Sequence, residues 1–451
     1  MASFRPARTT KRMPTWLYGI YFGLLFLTQI AEGQPIDDRQ VNRCGTADYE
    51  QVLQKRDPFR QLDRTELNRQ IEQASKGGKS ARQSATTETI YRIPVVVHIV
   101  HNNASQRIGG PNNANISDEQ VYSQIKVLNE DFRRVANTNG FNTSPVGADT
   151  GIEFFLAQTD PQGNPTNGIT RHYYPQQAAF TVGTGSDGDI LLAQIAYWPS
   201  NRYLNIWVTD LQNNYLGFTQ FPTSADTLKG LGPTDTNELV DGSIISYRVF
   251  GRGFSQLHST YNLGRTLTHE IGHWLGLLHP NGDSTCGDDH VQDTPPTDNL
   301  NQSVFCRDLL ANCAAVPNRI MIENYMMYSP DACMNLFTQG QKERMRAVLQ
   351  LSPRRAALIR SLDNLPETDE LTVTVFPNPT RANPTVEIQF KGLHPFTITV
   401  TNSRGQRLYS MVYPAAPSSR ITVPVSRLPA GIYTIQVTTD TATVSQRLLI
   451  E

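Results

Sequence analysis

The pattern of apolar and polar positions divides the chain into segments of different character. Residues 34–87 are rich in Arg, Gln, Glu and Lys, and the stretch "QASKGGKSARQSATTE" is almost wholly polar. It reads as an exposed linker, so this segment is expected to be cut away or to stay mobile. At "IYRIPVVVHIVHN" (90–102) the chain turns to a β-branched run of the kind that makes a buried strand. "ISDEQVYSQIKVLNEDFRRVAN" then sets Val121, Ile125, Leu128 and Phe132 on one helical face, with Ser117 as N-cap and Gln120 completing a capping box. Further strand-like runs begin at Gly151, Tyr203 and Gly242, and a last helix, "QKERMRAVLQLSPRRAALIRSL", ends near residue 362. Strands and helices are mixed over residues 88–362, which makes the fold class α/β or α+β.

A polar linker, "DNLPETDE" (363–370), leads into residues 371–451, where short runs alternate. Val386, Ile388 and Phe390 are followed by Phe396, Ile398 and Val400, then by Ile421, Val423 and Val425, with turn residues such as "NSRG" between runs. This predicts a small antiparallel β-sandwich. At the other end, Arg5, Arg8, Lys11 and Arg12 precede an apolar run from Trp16 to Ala31, the layout of a signal peptide over residues 1–33. The run is broken by Gly19, Gly23, Thr28 and Gln29 and falls short of the ~20 apolar residues of a membrane span, so no stable span is expected. Export places five cysteines where disulfides form, and an odd number leaves one over. With 40 basic and 41 acidic side chains there is no basic footprint for nucleic acid.

The chemistry is concentrated in "LTHEIGHWLGLLHP" (267–280). His269 and His273 are four apart, so both imidazoles leave one face of a helix and can grip one ion. Gly276 lets the chain leave the helix sharply, which returns His279 as a third ligand. Three neutral imidazoles hold zinc and leave one tetrahedral position for water, whose pKa falls to roughly 7 there. Glu270 would take the proton of that water as a carbonyl is attacked and deliver it to the leaving amine. That reaction is peptide hydrolysis, with proteins or peptides as substrates.

HExxHxxGxxH resembles the signature of the metzincin metallopeptidases, and "ENYMMYS" resembles their methionine turn. By that resemblance Met326 lies under the ligand histidines and Tyr328 supplies a hydroxyl to the oxyanion. The likeness also implies a mixed sheet and a long zinc-binding helix. "IPVVVHIVHN", "IEFFLAQTDPQGNPTNGITR", "CGDDHVQDTPP" and "DACMNLFTQGQKERM" together look like the pappalysin family, in particular its cytophagalysin-like and ulilysin-like members. Met327 stands where the family often has Asp, and Pro280 follows the last ligand as in serralysins, whose glycine-rich repeats are absent here.

Similar pappalysins pair their cysteines first with third and second with fourth, which implies Cys286 with Cys313 and Cys306 with Cys333. Cys44 remains, in "NRCGT"; relatives with such a stretch use a cysteine switch, in which the thiolate takes the water's place on zinc until the propeptide (34–87) is cut off. An inert free thiol is the alternative, and the basic patch around Lys79 and Arg82 is the expected cleavage region. The oxygen-rich "CGDDHVQDTPP" resembles the family's calcium loop, with Asp289, the Val291 carbonyl, Asp293 and Thr294 as ligands; the alternative is a solvated acidic loop. Asp331 matches the residue at the base of the primed-side specificity pocket, where a buried carboxylate attracts Arg or Lys just after the scissile bond. "VFPNPT", "LPAGIYTIQV" and "VSQRLLIE" look like a type A C-terminal sorting domain, which implies the type IX secretion machinery as a partner and a secreted or cell-surface location. The competing reading is a catalytically inactive surface-binding protein on a metzincin scaffold. Loss of a histidine ligand or of Glu270 would have favoured it, and all four are present.

Overall fold

Strand β1 (Tyr91–His101) is the axis of the larger sheet. In the computed structural model, which describes residues 41–77, 88–181, 187–225, 240–302, 305–361 and 365–451, its last nine residues are buried. The expected signal peptide, Lys79 and Arg82, and the first residues of the 363–370 linker lie outside the described residues. β1 is flanked on one side by β2 (Ile152–Leu156) and then β3 (Ile169–Tyr173), and on the other by β4 (Leu204–Thr209), all parallel to it. β6 (Gly242–Ser246) continues the parallel set, and β5 (Gly217–Thr219) closes it as an antiparallel edge. Burial on both faces explains why β1 reads as a continuous apolar run rather than an alternating one.

Helix α3 (Asp118–Phe132) packs on this sheet through Val121, Ile125, Leu128 and Phe132. Ser117 caps it by accepting from Gln120 N, but the capping box is not completed. The Gln120 side chain instead donates to the Phe250 carbonyl at 2.8 Å, because a buried amide is satisfied best by the loop packed over it. The expected single C-terminal helix is two, α6 (Gln339–Leu351) and α7 (Pro353–Arg360). Pro353 lacks the N–H the first helix would need and starts the second at its first position. The region read as exposed and mobile also holds two helices, α1 (Thr46–Arg56) and α2 (Arg60–Gly77). They bury Tyr49, Val52 and Leu53 on one and Leu67 and Ile71 on the other, together with the polar Thr46, Glu50 and Arg60.

Beyond a short antiparallel pair, β7 (Leu310–Ala311) and β8 (Asn318–Arg319), residues 372–450 form a separate apolar core between a three-stranded sheet, β9 (Thr372–Phe376), β10 (Thr385–Gln389) and β13 (Ser419–Thr422), and a four-stranded one. The second sheet runs β12 (Arg407–Ala416), β11 (His394–Asn402), β14 (Gly431–Thr439), β15 (Thr443–Ile450), all antiparallel. No helix among the described residues is long and apolar enough to cross a membrane.

His98, at the middle of β1, is fully buried; its Nε2 donates to Asn205 Oδ1 at 3.0 Å and its Nδ1 accepts from the Thr170 hydroxyl at 2.7 Å. Burial pushes its pKa down to about 3, so it stays neutral in the fold. The unfolded chain takes up that proton below about 6.5, so the stabilising contribution is whole above 6.5 and is lost as pH falls toward 3. Chemical denaturation across that window is expected to lose about 1.4 kcal/mol per pH unit from this residue, a slope that His98→Gln removes.

Candidate metal centre

The central helix α5 (Arg265–Trp274) begins at Gly264, whose φ of 79° is left-handed, and all ten of its residues are buried. It ends in a Schellman turn: Leu277 N donates to Gly272 O at 2.9 Å and Gly276 N to His273 O at 2.8 Å, with Gly276 at φ +85°. A Cβ on Gly276 would lie 2.8 Å from Val348 Cγ2, so the turn needs glycine for space as well as for φ. The reversal brings His279 to the two histidines on the helix.

Each imidazole is oriented from behind. His269 Nδ1 donates to Tyr325 O at 2.7 Å, His273 Nδ1 to Leu277 O at 2.7 Å, and His279 Nδ1 to Asp283 Oδ1 at 2.5 Å. With the proton fixed on Nδ1, all three Nε2 lone pairs point inward. Those atoms are 3.1, 3.1 and 3.3 Å apart, yet none carries a proton to share. Tetrahedral zinc at ~2.05 Å from each nitrogen requires about 3.3 Å between them. Cys44 Sγ completes the group, 3.6 Å from His273 Nε2, and the four ligand atoms lie within 4.8 Å of one another. The donor set therefore fits a soft tetrahedral dication. Burial, then the adjacent imidazoles, lowers His269 well below its ordinary pKa and brings His273 to about 3, so both stay neutral and ready to ligate. Burial, then the charge of Glu270, pushes the Cys44 thiol up, a direction that a bound dication reverses.

Glu270 is fully buried beside the cluster, and burial raises it to about 7. A carboxyl near neutrality can both take and return a proton. Gly217 on β5 lets the strand approach it; a Cβ there would stand 3.1 Å from Glu270 Cγ. The Tyr328 ring centroid lies 4.9 Å from that of His279, and Met326 is buried under the helix against Gly272. Met327 is fully buried in the main core. Disulfides join Cys286 to Cys313 and Cys306 to Cys333.

Two residues beside Cys44 escaped the reading of the sequence. The Thr46 hydroxyl donates to Glu270 Oε2 at 2.7 Å and accepts from Thr219 N at 3.0 Å. Arg43 is buried, lies over the Tyr261 ring at 4.6 Å, donates to the Thr266 hydroxyl, and pairs with Asp331 at 3.4 Å. Asp331 is 1% exposed and also accepts from Leu263 N and Arg265 N, at 2.9 and 3.2 Å. The backbone of this segment adds to the β5 edge, with Asn42 N to Asn214 O at 3.0 Å, Leu216 N to Asn42 O at 3.0 Å and Gly45 N to Gly217 O at 2.9 Å. The only sequence signal was that Arg, Cys and Thr fall within four residues.

In the oxygen-rich loop the Thr294 hydroxyl lies 2.6 Å from Asp289 Oδ2 and 2.9 Å from the Val291 carbonyl, so these three come together. Burial raises the Asp289 carboxyl to about 6. Asp293 accepts from the Thr338 hydroxyl at 2.6 Å and Gly340 N at 2.9 Å, at the start of α6.

Comparison with known proteins agrees with this geometry. The family described as "Pregnancy-associated plasma protein-A" matches residues 189–350, and the secretion system C-terminal sorting domain matches residues 374–451. An extracellular metalloprotease of Coccidioides posadasii is 32% identical over 257 residues, 56% of this chain and 74% of that protein. Among solved structures, an E225A mutant of Tannerella forsythia promirolysin is 35% identical with a TM-score of 0.54, covering 71% of this chain and 99% of that one. Mature mirolysin in complex with a cleaved peptide is 39% identical with a TM-score of 0.50, covering 62% of this chain and 100% of that one.

A Cβ at Gly272, between the two helical histidines, would collide with Met326 Sδ. Gly272→Ala is therefore expected to destabilise the zinc-loaded protein by about 1–3 kcal/mol in thermal denaturation and to raise its zinc dissociation constant in competition with a chelator.

Proposed function

The chain belongs to the pappalysin family of metzincin zinc metalloendopeptidases, exported under a type IX sorting domain, and from that premise we propose that it is made latent and cleaves proteins before Arg or Lys. In this reading His269, His273 and His279 hold the zinc. When bound, the ion supplies Lewis acidity toward a peptide carbonyl and lowers the pKa of water to about 7. Glu270 accepts the proton of the attacking water and hands it to the departing amine, and the Tyr328 hydroxyl donates to the developing oxyanion. Met326 keeps the floor under the histidines apolar.

The observation that carries the proposal is the placement of three neighbouring side chains: Arg43 on Asp331, Cys44 at the metal position and Thr46 on Glu270. An arginine buried against Asp331 is what a substrate cut before arginine would present. In a substrate, however, the pocket residue follows the scissile bond, whereas Arg43 precedes Cys44. The segment thus crosses in reverse order and offers a thiol where a substrate offers a carbonyl carbon. On this reading residues 34–87 are a propeptide and the catalytic domain runs from 88 to 362, followed by the 363–370 linker and the sorting domain from 371 to 451. We also assign a hard cation, calcium, to Asp289, the Val291 carbonyl and Thr294, where it would offset the buried carboxylate.

Cleavage-site profiling of the matured enzyme on a mixed peptide library is expected to give chelator-sensitive cuts before Arg or Lys, reduced by about 10²–10⁴-fold or more in Glu270→Ala. Asp331→Asn should lower kcat/KM for such peptides by about a hundredfold, and Cys44→Ala should raise the activity of the uncut chain only in part, because Arg43 on Asp331 and Thr46 on Glu270 still block the site. Cuts with other preferences would overturn the pocket assignment, and an uncut chain of equal activity with and without Cys44 would overturn the latency. Calcium is expected to raise the melting temperature by several degrees, about the effect of ~1–2 kcal/mol, and to do nothing in Asp289→Asn.

A further inference from the structure

We infer that the pro-segment remains bound and inhibitory after the chain is cut between residues 78 and 87, because helix α2 anchors it independently of Cys44; the inference rests on the latency proposed above. α2 sets Leu67 and Ile71, spaced four apart, onto Val348 of α6, with Ala347 and Leu351 beside them. Both are nearly fully buried, at 3% and 4% exposure. Asn68 between them accepts from Arg344, which also donates to the Gly276 carbonyl at 2.7 Å, so this anchor reaches the turn that presents His279.

The start of α2 is fastened as firmly. Arg60 is buried, binds the Glu50 carboxylate at 2.8–3.0 Å and donates to the Phe221 carbonyl at 3.1 Å. Arg64 lies over the Phe221 ring at 4.1 Å, and that ring stands 5.2 Å from His273. α1 holds a different place: the Tyr49 hydroxyl donates to Asp189 at 2.9 Å and Arg56 pairs with the same carboxylate at 2.6 Å, at the start of α4 (Gly188–Ile195).

None of these contacts passes through residues 78–87, so a cut there removes the covalent tether and leaves every one of them in place. A segment held at two sites by a short connection rebinds at one before it leaves the other. That connection, Asp57–Phe59, ends in a phenylalanine that is 68% exposed. Release then requires a second cut, the Asp57–Phe59 connection being the exposed place for it, because α1 and α2 are then joined by the pairing of Arg60 with Glu50 and no longer by the chain.

The test uses the zinc-loaded full chain with the recognition sequence of a site-specific protease replacing residues 80–86, and a second form with another such sequence at 57–59. After the first cut the fragment should co-elute with the catalytic domain on size exclusion, and hydrolysis of a fluorogenic peptide should stay about a hundredfold below that of the doubly cut form. A synthetic peptide of residues 41–77 should inhibit the doubly cut enzyme about a hundredfold more strongly than residues 41–58. A singly cut chain that sheds the fragment and matches the doubly cut activity would overturn the inference, as would equal potency of the two peptides. An uncut chain already at that activity would overturn the latency proposal and the inference with it.

Discussion

Three imidazole lone pairs aimed at one point are the constraint on which the rest of the structure depends. Neutral nitrogens 3.1–3.3 Å apart with no proton between them repel unless a cation joins them. The fold nevertheless holds them there, through carbonyls of Tyr325 and Leu277, the Asp283 carboxylate, and a helix buried on every side. The methionine turn, the Gly276 reversal and the buried pair of Arg265 with Asp131, at 3.1 Å between α5 and α3, all serve that fixed geometry. Without a dication the arrangement is a concentration of unfavourable contacts; with one it becomes the joint between the helix and the loop that follows it.

Much of this was legible in the sequence because it rests on short-range rules. The i, i+4 histidines, the glycine three residues on and the β-branched run of β1 carry their geometry in their spacing. What failed to show depends on distant partners. α1 and α2 have too few apolar residues to announce a helix, and they owe their order to Val348, Asp189 and Phe221, far along the chain. Gln120 satisfies a loop rather than its own helix, and Asp293 accepts from Thr338 and Gly340 at the start of α6. Pro353, by contrast, marks its helix break in the sequence itself, since proline lacks the N–H a continuous helix would need.

In the proposed reading the same edge strand serves substrate recognition and latency. β5 offers backbone groups to whatever lies along it, and residues 42–45 occupy that edge while their side chains reach the metal position, the base and the specificity carboxylate. If that segment blocks the site, loss of the thiol alone leaves the contacts of Arg43 with Asp331 and of Thr46 with Glu270 to break. The C-terminal sandwich, with its own apolar core, contributes no residue to this cluster and provides the address for export.

The proposed latency depends on what fills the fourth position around the metal. X-ray absorption at the zinc edge of the uncut, zinc-loaded chain tests it directly. One sulfur at ~2.3 Å and three nitrogens at ~2.0–2.1 Å are expected, with the sulfur lost in Cys44→Ala. A first shell of nitrogen and oxygen only in the uncut chain would contradict it.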